Sequence, residues 1–185
     1  MTPAYEPVAS PRFRVEETVD GPAIRVPAPR PLIATGFLIL WLLGWTAAGG
    51  VCAWVLVDTR EWATLVFMAF WLLGWLAAAF TLTWTLVGYQ TLRIVGAGDL
   101  EIADHVLGLT RRWLYHGSEV RRLVAAPPLS WPYRARTHTP FIRSGRGAVK
   151  FEYGARTVYA APGLSEAEGR QIAELLLPRL PAARS

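Results

Sequence analysis

The sequence predicts a membrane α-helical hairpin joined to a small antiparallel β domain with a C-terminal capping helix. Three observations carry this. Residues 32–57 and 62–88 contain no Asp, Glu, Lys, Arg or His, and only Asp58, Thr59, Arg60 and Glu61 separate them. Short stretches of alternating apolar and polar residues, punctuated by Gly and Pro, run from 89 to 160. A segment with a helix-start pattern, Ser165 followed by Glu168, leads to Pro178 near the C-terminus.

Residues 1–11 are Pro-rich and predict a disordered N-terminus. In 12–31, Phe13-Arg14-Val15-Glu16 and Ile24-Arg25-Val26 alternate on either side of Asp20-Gly21. They read as two cytoplasmic strands that join the β domain. Pro27, Pro29 and Pro31 then stop the second strand. Each apolar run has about 26 residues, roughly 39 Å as a helix, against a hydrocarbon core of ~30 Å. Transmembrane helices are therefore expected at 32–57 and 62–88, with 58–61 as an external loop. Trp62 and Trp84 fall near opposite interfaces.

Arg25 and Arg30 precede the first span and Arg93 follows the second, whereas the loop has one Arg against two acids. The positive-inside rule then places both termini in the cytoplasm. Some thirty polar residues precede the first span, and its length exceeds the 7–15-residue apolar core of a cleaved signal. Cys52 is the only cysteine, so no intramolecular disulfide is possible.

Residues 89–180 form the expected cytoplasmic domain. Strands are predicted at 91–95, 100–102, 106–115, 118–125, 149–153 and 157–160, with His116-Gly117 as a hairpin turn and 127–147 as a long loop. Ile172, Leu175, Leu176 and Arg179 share helical spacing behind the Ser165/Glu168 cap. After Gly88 there are fourteen basic residues and eight acids, within a chain of net charge +5. Such a domain is drawn to anionic head groups at ~1 kcal/mol per well-placed Arg. Positive-inside bias in an arginine-using proteome accounts for the same surplus.

The sharpest pattern is a repeat: Trp41-Leu42-Leu43-Gly44-Trp45 recurs as Trp71-Leu72-Leu73-Gly74-Trp75. Gly44 with Ala48, and Gly74 with Ala78, make small-xxx-small pairs that let helix backbones approach in lipid. Trp45 and Trp75 both fall near mid-bilayer. The seam either pairs the two helices or docks a partner helix. Two arginine pairs form the other candidate site. A turn at His116-Gly117 sets Arg112 opposite Arg121 and Arg111 opposite Arg122, a like-charge arrangement that an anion such as a lipid phosphate relieves. The same register puts Arg111 and Arg122 on a face with Trp113 and Val120, which belong in a core. Ordinary surface arginines are the competing reading.

No catalytic constellation is visible. His105, His116 and His138 lack metal-ligand spacing, and Gly96-x-Gly98 lacks the rest of a dinucleotide loop. No cofactor, metal or nucleic-acid partner is expected. Ser144-Gly145-Arg146-Gly147 reads as a flexible loop.

In element order the chain resembles bacterial inner-membrane proteins that carry a two-helix hairpin and a pleckstrin-homology-like cytoplasmic domain. The resemblance rests on Phe13-x-Val15-Glu16, Asp20-Gly21, Ile24-x-Val26-Pro27, the Trp-Leu-Leu-Gly-Trp spans, Phe151-x-Tyr153-Gly154-x-Arg156-Thr157 and the Gly163–Glu168 segment. It implies a β-sandwich or partly open barrel with a C-terminal helix. The expected function is a non-enzymatic membrane-anchored scaffold or assembly factor, with membrane lipids and a membrane-protein partner or a second copy as its contacts. A lipid- or ligand-sensing membrane subunit is the alternative.

Overall fold

The computed structural model describes residues 10–18, 21–59, 62–127 and 147–181. The chain divides into two compact units, a helical one at Arg30–Leu86 and a β unit built from the segments on either side of it.

The helical unit is the pair α1 (Leu32–Thr59) and α2 (Trp62–Val87). Both are apolar on every side, and large residues such as Leu32, Phe37, Trp54 and Phe70 are exposed. A soluble core helix buries such a surface; these do not. Both are long and apolar enough to cross a membrane. α1 continues to Thr59, two residues beyond the predicted end of the span. At the other end, the Arg30 guanidinium donates to the Leu86 carbonyl (2.7 Å), satisfying an acceptor that the end of α2 leaves open.

Among the described residues the β unit contains eight strands, β1 (Arg14–Thr18), β2 (Gly21–Pro27), β3 (Tyr89–Val95), β4 (Asp99–Val106), β5 (Leu109–Tyr115), β6 (Val120–Ala125), β7 (Val149–Tyr153) and β8 (Arg156–Ala160), followed by α3 (Glu166–Leu176). The first five form one antiparallel sheet in chain order, and the last three form another. β2 pairs directly with β3, so α1 and α2 are inserted in the chain between neighbouring strands. Beyond the strands, the Ala28 N–H donates to the Gly88 carbonyl (3.0 Å), and the two segments leave the sheet side by side.

Alternation supplies a common core. Ile24, Val26, Leu92, Leu100 and Ile102 come from the larger sheet, Val120, Val149 and Phe151 from the smaller, and Ile172, Ala173 and Leu176 from α3. Tyr115 bridges the sheets with its ring edge-on to Phe151 and Tyr153. Gly169 lets α3 lie against the Ala148 carbonyl, where a Cβ would collide. Leu175, which shares helical spacing with Ile172 and Leu176, is exposed.

Two strand expectations are corrected. The hairpin turn lies at Leu107-Gly108, not at His116-Gly117. Both turn residues have positive φ (45° and 82°), and Val106 pairs with Leu109. β5 and β6 belong to different sheets and do not pair. His116-Gly117 is instead a corner: Gly117 donates its N–H to Asp99 (3.0 Å), a Cβ there would collide with the Gly98 carbonyl, and Glu119 N–H closes a turn on His116 O (2.9 Å). The predicted strand at 100–102 runs from Asp99 to Val106. Most of the predicted loop, residues 128–146, lies outside the described residues, as do 1–9, Arg60 and Glu61.

The α3 capping box forms as its sequence predicts, with a further partner. Glu168, 2% exposed, accepts from the Ser165 N–H (2.7 Å) and hydroxyl (2.9 Å), and also from the Arg12 backbone N–H (2.8 Å) and guanidinium (2.7 and 3.2 Å). Burial alone pushes the carboxyl up, but these bonds outweigh it and hold its pKa at about 2, against an ordinary 4.5. Because the folded value is the lower one, its stabilisation is complete above pH 4.5 and is lost as the pH falls towards 2. Glu168→Gln is expected to destabilise the β unit by about 2–3 kcal/mol at neutral pH and to flatten the acid limb of stability, read by thermal unfolding of the solubilised chain across a pH series.

Candidate functional site

The four candidate arginines do not meet across one hairpin. Arg111 stands opposite Asp104, and Arg112 opposite Ala103, both on edge strand β5. Arg121 stands opposite Glu152 on β6, and Arg122 forms an ion pair with Glu152 (3.1 Å). The conflict over faces disappears at a bulge. Arg122 has φ 51° and the β6 register shifts between Arg121 and Val124, so Arg121 and Arg122 are both exposed while Val120 and Leu123 are buried. Arg111 lies over Trp113, its guanidinium 5.3 Å from the ring centre.

A different arrangement assembles on the outer face of the five-stranded sheet. Arg25 of β2 and His105 of β4 flank Tyr89 of β3. The guanidinium lies 3.7 Å from the tyrosine ring centre, and the imidazole stacks at 4.7 Å with an 11° tilt. Both imidazole nitrogens have hydroxyl partners at 3.0 Å, Nε2 at Thr91 and Nδ1 at Thr110. Burial lowers the His105 pKa, and the Arg112 and Arg25 charges lower it further against Asp104 and Glu101. The ring is therefore neutral at pH 7, one nitrogen donating and the other accepting.

Acids answer some of the charge on this face. Glu16 pairs with Arg25 (3.3 Å) and Glu101 with Arg93 (2.8 Å). Arg14 stands directly opposite Arg25, a like-charge pair. Neither Arg14 nor Arg112 has a hydrogen bond or ion pair among the described residues. Among the described residues the face thus presents two unanswered guanidiniums, Arg14 and Arg112, beside an aromatic step. Alternation could have found it: Arg25, Tyr89 and His105 occupy outward positions on three consecutive strands. What the sequence hides is which strands are neighbours.

The buried polar groups on the inner side are consumed internally. Gln90 donates to Asp104 (2.8 Å) and accepts from the Ala161 N–H (2.8 Å). Among the described residues, no group of three or more His, Cys, Asp and Glu could hold a metal ion. No protein-family model, curated protein or solved structure matches the chain.

In the helical unit the two helices pack with Trp45 and Thr46 beside Gly74 and Trp75, and Gly49 beside Trp71, so the two Trp-Leu-Leu-Gly-Trp segments are staggered and meet only at their second tryptophans. Trp45 stacks on Trp71 (5.7 Å, 15°), and Trp41 packs against Trp45 at 4.2 Å. The Trp75 indole donates to the Thr46 hydroxyl (2.9 Å), which donates to the Leu42 carbonyl (2.7 Å). The less exposed residues recur every three or four positions, through Leu42, Trp45 and Gly49 on one helix and Met68, Trp71 and Trp75 on the other. Gly74 and Ala78 belong to this seam; a Cβ on Gly74 would meet the Trp45 ring at 3.2 Å. Gly44 and Ala48 are exposed, and a Cβ on Gly44 meets nothing within 4 Å. The glycine that matters on α1 is Gly49, whose missing side chain makes room for the Trp71 ring. Indole bulk, not backbone contact, sets the spacing of the pair.

Gly49→Leu is therefore expected to displace Trp71 from Trp45 and destabilise the hairpin by about 1–3 kcal/mol, whereas Gly44→Leu leaves it unchanged. An SDS titration of both variants, followed by tryptophan fluorescence, checks this. For His105 the folded pKa lies below the ordinary 6.5, so its stabilisation is present above that value and is lost as the pH falls further. His105→Gln is expected to weaken the loss of thermal stability between about pH 7 and about pH 5, measured on the same preparation.

Proposed function

We propose that this chain is a non-enzymatic, membrane-anchored scaffold. Its hairpin crosses a bacterial inner membrane twice, with both termini and a pleckstrin-homology-like β domain in the cytoplasm. The observation that supports this best is the insertion of two long apolar helices between paired strands β2 and β3. A domain held by two adjacent chain segments is kept at the membrane surface, where its basic faces meet either lipid head groups or an acidic surface of a membrane complex. The outward face carrying Arg14, Arg25, Tyr89 and Arg112 is the docking surface in this reading. The hairpin's exposed small residues, Gly44 and Ala48, leave one helix face open to a partner span or a second copy.

Affinity capture from gently solubilised membranes tests the proposal. A stable membrane-protein partner is expected, and Arg14→Glu with Arg112→Glu is expected to lower its recovery about tenfold, because charge reversal opposes the complementary potential. Full recovery with the double variant would remove the docking face from the reading. Anionic lipid recovered without protein would favour the lipid-sensing alternative, to which the unanswered charge of Arg112 also lends support.

A further inference from the structure

The β4–β5 turn combines features that a solvent-facing turn avoids. Leu107 is 76% exposed and Leu109 57% exposed. Leu107 also occupies a left-handed conformation, φ 45°, at a turn position that ordinarily takes Asn, Asp or Gly. A leucine there is strained, and its side chain has no place in the core. Strain and exposure at one apolar residue point to a contact outside the β unit.

The sheet register locates that contact. Pro27 pairs with Tyr89, Tyr89 with His105, and His105 with Thr110. The turn lies one rung beyond this row, at the end of the sheet where β2 leads out to α1 and where α2 leads into β3. Gly88 alone joins Val87, the end of α2, to Tyr89, the start of β3. Tyr89 is therefore only two residues along the chain from Val87, a reach of about 7 Å at most. The turn is displaced from Tyr89 by only one to two strand spacings, about 5–10 Å. The opposite end, at the exposed Gly96-Ala97 turn, is a whole strand length away. Behind the leucines come Arg111 and Arg112, both exposed, on opposite faces of β5.

We propose that the β4–β5 turn is a third membrane contact: Leu107 and Leu109 enter the boundary between head groups and acyl chains, and Arg111 and Arg112 meet lipid phosphates on either side. An apolar tip behind which arginines sit at phosphate depth matches the layering of a bilayer surface. The inference rests on the membrane-spanning reading of α1 and α2.

The test uses the full chain in nanodiscs of phosphatidylcholine with phosphatidylglycerol, in a Cys52→Ser background. A single cysteine is labelled with an environment-sensitive fluorophore in each of three variants, Leu107→Cys, Ala97→Cys and Phe70→Cys, and quenching by doxyl-labelled lipid is measured. Quenching is expected at 70 and 107 and not at 97. Arg111→Glu with Arg112→Glu is expected to reduce quenching at 107 several-fold while leaving 70 unchanged. Quenching at 70 without quenching at 107 would overturn the inference and leave the spans intact. No quenching at 70 would overturn the spanning reading and the inference with it. Blue-shifted emission at 107 without lipid quenching would mean that protein covers the turn, and would also overturn it. Undiminished quenching in the double-Glu variant would overturn the assignment of the two arginines.

Discussion

Ile24 lies opposite Leu92 and Val26 opposite Gln90, although the entire helical hairpin separates them in the chain. Everything else is arranged around that pairing. Antiparallel neighbours require the chain to leave the sheet and return at the same edge position, so α1 and α2 begin and end together and run antiparallel. The antiparallel helices then set Trp45 and Thr46 beside Gly74 and Trp75, and the Trp45 ring stacks on that of Trp71. The same pairing makes β1 and β2 part of a five-stranded sheet, which gives Ile24 and Val26 a core to enter. Without it, two short strands ahead of α1 would form a lone hairpin, which is marginal in water.

The two ends of the β unit are then tied by charge. Arg12, ahead of β1, reaches the buried carboxylate that already caps α3. Glu168 would be costly to bury alone; five donated hydrogen bonds from Arg12 and Ser165 make its charged form the stable one. The outer sheet face follows another logic. There Arg25, Tyr89 and His105 stack across three strands, and His105, lodged between two threonine hydroxyls, is held neutral by burial and by the Arg112 and Arg25 charges. Charge is concentrated at the rim of the face, on Arg14 and Arg112, where water and ions reach it.

Much of the layout could be read from the residues, for definable reasons. Two charge-free runs of spanning length leave few alternatives, and Ser165 with Glu168 is a local signal for a local bond. The parts that escaped depend on exceptions to local rules or on distant partners. Leu107 occupies a turn conformation that leucine seldom adopts, so the true hairpin was hidden and a Gly corner at 117 took its place. The bulge at Arg122 breaks the two-residue alternation from which the face of each arginine was inferred. Gly44 and Gly74 look equivalent within the repeat, but antiparallel packing puts an indole beside Gly74 and nothing beside Gly44. Arg12 and Glu168 are 156 residues apart, beyond the reach of any pattern read along the chain.

That separation has a consequence for how the molecule is made. Arg12 is synthesised before both helices and the described strands, and its partner Glu168 after them. At the usual pace of translation, roughly 8–30 s pass between the two. For the first half of that interval β2 has no β3 beside it; α1 and α2 are made in between, and only afterwards can the sheet be completed. Until then the early strands are an open, pairing-competent edge. Closure of the β unit therefore waits for α3, and the Arg12–Glu168 ion pair forms only after both helices and the described strands have been made.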